Sequence, residues 1–202
     1  MVKNKKLIAL YRLSFGVLGL SAIATEIVVL LQRGVFAPAN FFSFFTIQSN
    51  ILASVILILG ALLLFADKPG IHALWRGAAT LYMAVTGIVF ALLLSGLDAG
   101  VLTAVPWDNT VLHYIMPIAV FGDWLMDRPK QQIRFKQALV WLVYPIAYLV
   151  YSLVRGHFVG WYPYPFLDAS EKGYATVGAT SLVVALVVTV LAWMIARLGR
   201  HK

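Results

Sequence analysis

The sequence predicts an all-α membrane protein, a six-transmembrane-helix bundle with both termini cytoplasmic. Three observations predict it. Hydrophobic residues make up 61% of the 202-residue chain and charged residues only 12%, a ratio that a soluble fold of this size cannot bury but a bilayer covers. Six apolar runs are each long enough, at about 1.5 Å of rise per residue, to cross about 30 Å of hydrocarbon. Thirteen of the 16 lysines and arginines fall on one side of the resulting topology, as the positive-inside rule requires of a cytoplasmic face.

The six runs are Leu7–Leu31, Phe41–Phe65, Ala73–Leu97, Thr110–Met126, Phe135–Val154 and Ala175–Leu198. They are continuously apolar rather than alternating, which excludes a closed β-barrel. Ahead of the first run, Met1 to Lys6 is basic, and Ala22-Ile23-Ala24 imitates a signal-peptidase site. Arg12 interrupts that apolar region, however, and the run continues through Leu31, so the first span is expected to be retained. The fourth run is the shortest.

The connections fix the orientation. Asp67-Lys68-Pro69-Gly70 is a turn signal, and Asp127–Lys136 is short and basic. These two connections, the two tails, Arg12 and Arg76 hold the inner charge, while the outer segments hold only Arg33, Arg155 and Lys172. Ser95–Asn109 has no basic residue, and Arg155–Tyr174 carries Phe158, Trp161, Tyr162, Tyr164 and Phe166, which suit an interfacial belt. This placement explains the net charge of +8 without nucleic acid. No internal repeat is apparent, and residues 1–202 read as one transmembrane domain. The chain has no cysteine, which excludes thiolate catalysis and cysteine metal sites.

Polar groups inside a span are costly, and they mark functional positions or interhelical glue. On the second helix Thr46, Ser49, Asn50, Ala53 and Ser54 share one face. A small-residue packing seam accounts for that spacing, but Asn50 and the neighbouring Gln48 exceed what a seam needs. The fourth helix carries His113, the only histidine within a span, with Pro117 four residues on. That proline denies the His113 carbonyl its helical partner. With no second intramembrane imidazole, no metal or cofactor is expected. The fifth helix shows Tyr144, Tyr148, Tyr151, Ser152 and Arg155 along one edge, which reads either as a polar wall or as a packing ridge ending in a snorkelling arginine.

Depth joins these positions. Helices two and four both run from outside to inside, so Thr46 and His113 each lie within about two turns of the outer end, roughly 6–9 Å down. Glu26, Tyr151, Ser152 and Arg155 near the same level, and Asp168 belongs to the outer fifth loop. Asp123 is the exception, close to the inner end of helix four.

Three segments then resemble a known family: Phe44-Phe45-Thr46-Ile47-Gln48-Ser49-Asn50, His113-Tyr114-Ile115-Met116-Pro117 and Trp161-Tyr162-Pro163-Tyr164-Pro165-Phe166-Leu167-Asp168, in that order. This resembles a bacterial branch of the androgen-induced and androgen-dependent membrane protein family, over about Leu7 to Leu198 and most strongly in the last segment. Eukaryotic members are multi-span threonine hydrolases that cleave fatty acid esters of hydroxy fatty acids. The resemblance implies a threonine nucleophile at Thr46, a histidine base at His113, a lipid-like ester as substrate and residence in a bacterial inner membrane. Under that reading the Asn50 or Gln48 amides are candidate oxyanion donors, Ser49 supports them, and Tyr148 and Tyr151 face the substrate. Glu26 or Asp168 is a candidate to orient His113, and Arg155 to hold a substrate carboxylate. The competing reading is a non-catalytic bundle that binds or transports a lipid, small amphiphile or proton.

Overall fold

A computed structural model describes residues 4–96, 103–129 and 132–199. It is all-helical, with no strand among the described residues. Helix α1 spans Lys5–Gln32 and α2 spans Phe45–Phe65. Helix α3 spans Ala73–Val89 and continues as a π turn, Phe90–Leu94. Helix α4 runs without interruption through Pro106–Thr110, a π turn at Val111–Ile115, and Met116–Met126. Helix α5 comprises Phe135–Ala138, a 3₁₀ turn at Leu139–Leu142, and Val143–Val159; α6 spans Tyr174–Leu198. Five of these are long and apolar enough to cross a membrane: Lys5–Gln32, Phe45–Phe65, Ala73–Leu94, Phe135–Val159 and Tyr174–Leu198.

The boundaries shift for local reasons. Pro38 starts a separate short helix, Pro38–Phe41, so α2 begins at Phe45 rather than Phe41. Pro106 opens α4 four residues before the expected start, at the position where its missing N–H costs nothing. Gly160, at φ 67°, ends α5 in the left-handed conformation, with its N–H bonded to the Gly156 carbonyl at 2.9 Å. The end of the third predicted span at Leu97, and the basic residues Lys3, Lys130, Arg200 and Lys202, lie outside the described residues. The widened turn of α4 sits where Pro117 leaves the His113 carbonyl without an i+4 donor, and there the Met116 N–H bonds Val111 instead. Such π turns recur at functional positions.

Large apolar side chains point outward along α1, α5 and α6, including Val17, Val28, Ile146, Val150, Leu186 and Val190. Lipid is the solvent that accommodates such a surface. The centre is α3, which is buried continuously from Arg76 to Met83. Helices α1 and α2 meet through small residues: a Cβ on Gly19 would collide with the Ser54 hydroxyl and lie 2.8 Å from the Met116 methyl of α4. Gly19→Ala is therefore expected to cost about 1–3 kcal/mol through overpacking, read as a lower melting temperature of the purified protein.

The end of the bundle that carries Arg12, Asp123 and Asp127 is fastened by charge. Arg12 of α1 donates through Nε to Asp123 Oδ1 at 2.6 Å and through Nη2 to Asp127 Oδ2 at 2.6 Å. Arg76 of α3 donates through Nη2 to Asp123 Oδ2 at 2.8 Å and through Nη1 to the Asp127 carbonyl at 2.8 Å. Two guanidinium groups and two carboxylates thus cancel, which is how buried charge survives in a low-dielectric interior. Asp123, out of place in depth, belongs to this clamp.

Candidate functional site

Thr46 stands in the first turn of α2, where helical N–H groups have no intrahelical partner. The N-cap residue Phe44 supplies no side-chain cap. The Thr46 N–H instead donates to the Tyr164 phenol at 3.1 Å, and Thr46 Oγ1 lies 3.3 Å from that same oxygen. Thr46 Oγ1 is also 3.2 Å from His113 Nε2. Both side chains are buried, Thr46 at 7% exposure and His113 at 5%.

The other face of the imidazole fixes the tautomer. His113 Nδ1 is 3.2 Å from the Asn109 carbonyl. A carbonyl only accepts, so Nδ1 carries the proton and donates it. Nε2 is then a bare acceptor aimed at the Thr46 hydroxyl. The Phe90 ring stacks on the imidazole, with centroids 4.1 Å apart and planes at 22°, so the two π turns of α3 and α4 face each other across His113.

Thr46 and Tyr164 lie where two cavities meet. One, of about 300 Å³, is lined by Glu26, Arg33, Phe44, Thr103 and His113 as well as these two residues. The other, of about 150 Å³, is an almost wholly apolar groove between α3, α5 and α6, lined by Val85, Phe90, Ile146, Leu149, Val184 and Val188, with Tyr148 at its wall.

The remaining candidates are placed differently. Asn50 does not line either cavity; its amide donates to the carbonyls of Thr46 at 2.9 Å and Leu112 at 3.1 Å, tying α2 to α4. Gln48 donates to the Phe42 carbonyl at 2.7 Å and accepts from the Tyr144 hydroxyl. Both N–H groups of the Asn50 amide are therefore taken, and Gln48, which has one N–H on Phe42, lines neither cavity. Ser49 bonds Thr86 of α3 at 2.9 Å. Tyr148 donates to the Ser43 carbonyl at 2.9 Å, and Tyr151 pairs with the Ser43 hydroxyl at 2.7 Å. Arg155 donates to Asn40 at 2.7 Å and covers the Trp161 ring at 5.0 Å, outside both cavities. Arg33 is the guanidinium that lines the larger one.

The group that orients His113 is also corrected. Asp168 caps the short helix Ala169–Lys172, accepting from the Ser170 and Glu171 amides. The Ser170 hydroxyl and these amides hold its carboxyl below the usual carboxylate range. Glu26 faces the cavity but accepts from the Ala104 N–H at 2.7 Å. The acceptor on His113 is the backbone carbonyl of Asn109, which leaves no side-chain signature in a sequence. Tyr164 did leave one: it stands between Pro163 and Pro165 in the aromatic outer segment, where it read as part of an interfacial belt. No family model, curated protein or solved structure matches the chain.

Proposed function

We propose that this chain is an integral membrane ester hydrolase of a bacterial inner membrane, with six spans, both termini cytoplasmic, Thr46 as nucleophile and His113 as general base. The observation that carries the reading is the 3.2 Å contact between the Thr46 hydroxyl and the bare Nε2 of His113. A threonine hydroxyl is a poor nucleophile at neutral pH unless a base accepts its proton as it attacks. The Asn109 carbonyl holds the imidazole in the tautomer that does this. The resemblance of the three segments to the androgen-induced and androgen-dependent family supports the same pair.

The cavities support the substrate class. The apolar groove ends at Thr46 and takes the acyl chain of a lipid-like ester; the larger cavity, with Glu26 and Arg33 on its wall, takes the alcohol portion. Lipid hydrolysis needs an ester carbonyl at the junction, and Thr46 lines both spaces. Helix α4 counts as the sixth span, since its 21 residues from Pro106 to Met126 form one helical stretch.

Hydrolysis of 4-nitrophenyl esters of straight-chain acids by the purified protein tests the chemistry. Reproducible absence of turnover across chain lengths favours a lipid-binding or transport bundle instead. Topology is tested separately on intact cells, where the absence of native cysteine removes background. An impermeant thiol reagent is expected to label Asp98→Cys and to spare Lys130→Cys, two positions outside the described residues. Labelling at 130 alone reverses the orientation.

A further inference from the structure

We propose that Tyr164 is a third catalytic residue, whose phenol donates to the oxyanion formed when Thr46 attacks an ester. The inference rests on the hydrolase reading above. Its ground is that both hydrogen bonds of the Tyr164 phenol go to Thr46, one to the N–H and one to Oγ1. An N–H only donates, so the phenol oxygen accepts there and its own proton is directed toward Oγ1. Oγ1 in turn gives its proton to Nε2. The hydrogens of the site then have one consistent order: Tyr164 to Thr46, Thr46 to His113, His113 to the Asn109 carbonyl.

The placement suits an oxyanion donor. Two oxygens on one tetrahedral carbon lie closer together than a hydrogen-bond length. A donor 3.3 Å from the attacking oxygen is therefore within reach of the oxygen that becomes negative. In the step, Oγ1 bonds to the carbonyl carbon while its proton passes to Nε2, and the carbonyl π pair moves onto oxygen. Tyr164 keeps its proton and donates a hydrogen bond to that oxygen. Collapse breaks the bond to the alcohol, which leaves with the proton from Nε2 and an acyl-Thr46 behind it. Water then attacks by the same route, releasing the acid and restoring the threonine.

The phenol is also held before substrate arrives, as electrostatic stabilisation of a transition state requires. Phe166 stacks on its ring at 5.3 Å with planes at 6°, and Phe44 meets it edge-on at 5.6 Å. Prolines on both sides restrict the backbone. Gly156 of α5 has no side chain where the Tyr162 ring presses against it, which seats the segment on the bundle. Among the described residues that line the larger cavity, Thr103 carries the one other side-chain hydroxyl, and it donates to the Val105 carbonyl at 3.1 Å.

The test compares Tyr164→Phe with Thr46→Ala in the full chain, using a 4-nitrophenyl ester and a melting curve for each. Tyr164→Phe keeps the stacked ring and is expected to lower kcat by about 10²-fold with KM within about threefold. A wild-type kcat in Tyr164→Phe beside an inactive Thr46→Ala overturns this inference alone. An active Thr46→Ala overturns both it and the hydrolase reading. Should Tyr164→Phe fail to fold, 3,5-difluorotyrosine at 164 keeps ring and hydroxyl while changing donor strength. A kcat that changes with an unchanged melt then supports the role, and an unchanged kcat at every pH overturns it.

Discussion

Thr46→Ala and His113→Ala are each expected to abolish ester hydrolysis, and the double substitution to cost little more than either alone. Residues that act as one unit are not additive: once the base has no hydroxyl to deprotonate, removing the base as well changes nothing further. The loss is expected to be at least about 10³-fold in kcat, since nucleophile and base each contribute in that range in related chemistry. Thr46→Ser keeps the hydroxyl within reach of Nε2 and is expected to retain part of the activity. Folding is expected to survive. The Thr46 N–H still bonds Tyr164, and Asn50 still grips the Thr46 carbonyl and Leu112 in both variants. Initial rates and melting curves measured together separate lost chemistry from lost structure; a Thr46→Ala protein with wild-type turnover removes the mechanism.

The largest effect on stability is expected at the opposite end of the bundle. Asp123 is 4% exposed and accepts from two arginines on different helices, Arg12 at 2.6 Å and Arg76 at 2.8 Å. Asp123→Ala leaves two buried guanidinium groups with only Asp127 to share, and is expected to cost about 3–5 kcal/mol. For a chain of this size that is a fall in melting temperature on the order of 10 °C. Asp127→Ala is expected to cost less, because its side chain is 38% exposed and water replaces part of what is lost. Replacing Arg12, Arg76 and Asp123 together by apolar residues of similar volume is expected to recover much of the loss, since the one charge then left without its partners, Asp127, is 38% exposed and reaches water. A triple variant less stable than Asp123→Ala contradicts that account.

Much of this was legible in the sequence because a bilayer leaves the chain few choices. Backbone groups in hydrocarbon must be satisfied internally, so long apolar runs become helices. Thr46 and His113 were brought into one frame by depth alone. What depth does not fix is rotation, and rotation decided the supporting residues. Asn50 shares a helical face with Thr46 yet turns its amide to two backbone carbonyls, on Thr46 and Leu112, and lines neither cavity. Arg155 reads as a substrate anchor by depth but is taken by Asn40 and the Trp161 ring. Tyr164 was hidden for a different reason: the path of a loop back over a bundle has no periodicity to read. Asp123 and Arg12 sit 111 positions apart, and no local pattern announces such a pairing.

The most direct measurement is peptide mass spectrometry of the full-length protein after exposure to a fluorophosphonate, which reacts with activated hydroxyls. A single adduct on Thr46, lost in His113→Ala and in protein unfolded beforehand, is the predicted result. An unmodified Thr46 in folded protein that hydrolyses esters, or an adduct on another hydroxyl, would contradict the claim that Thr46 is the nucleophile.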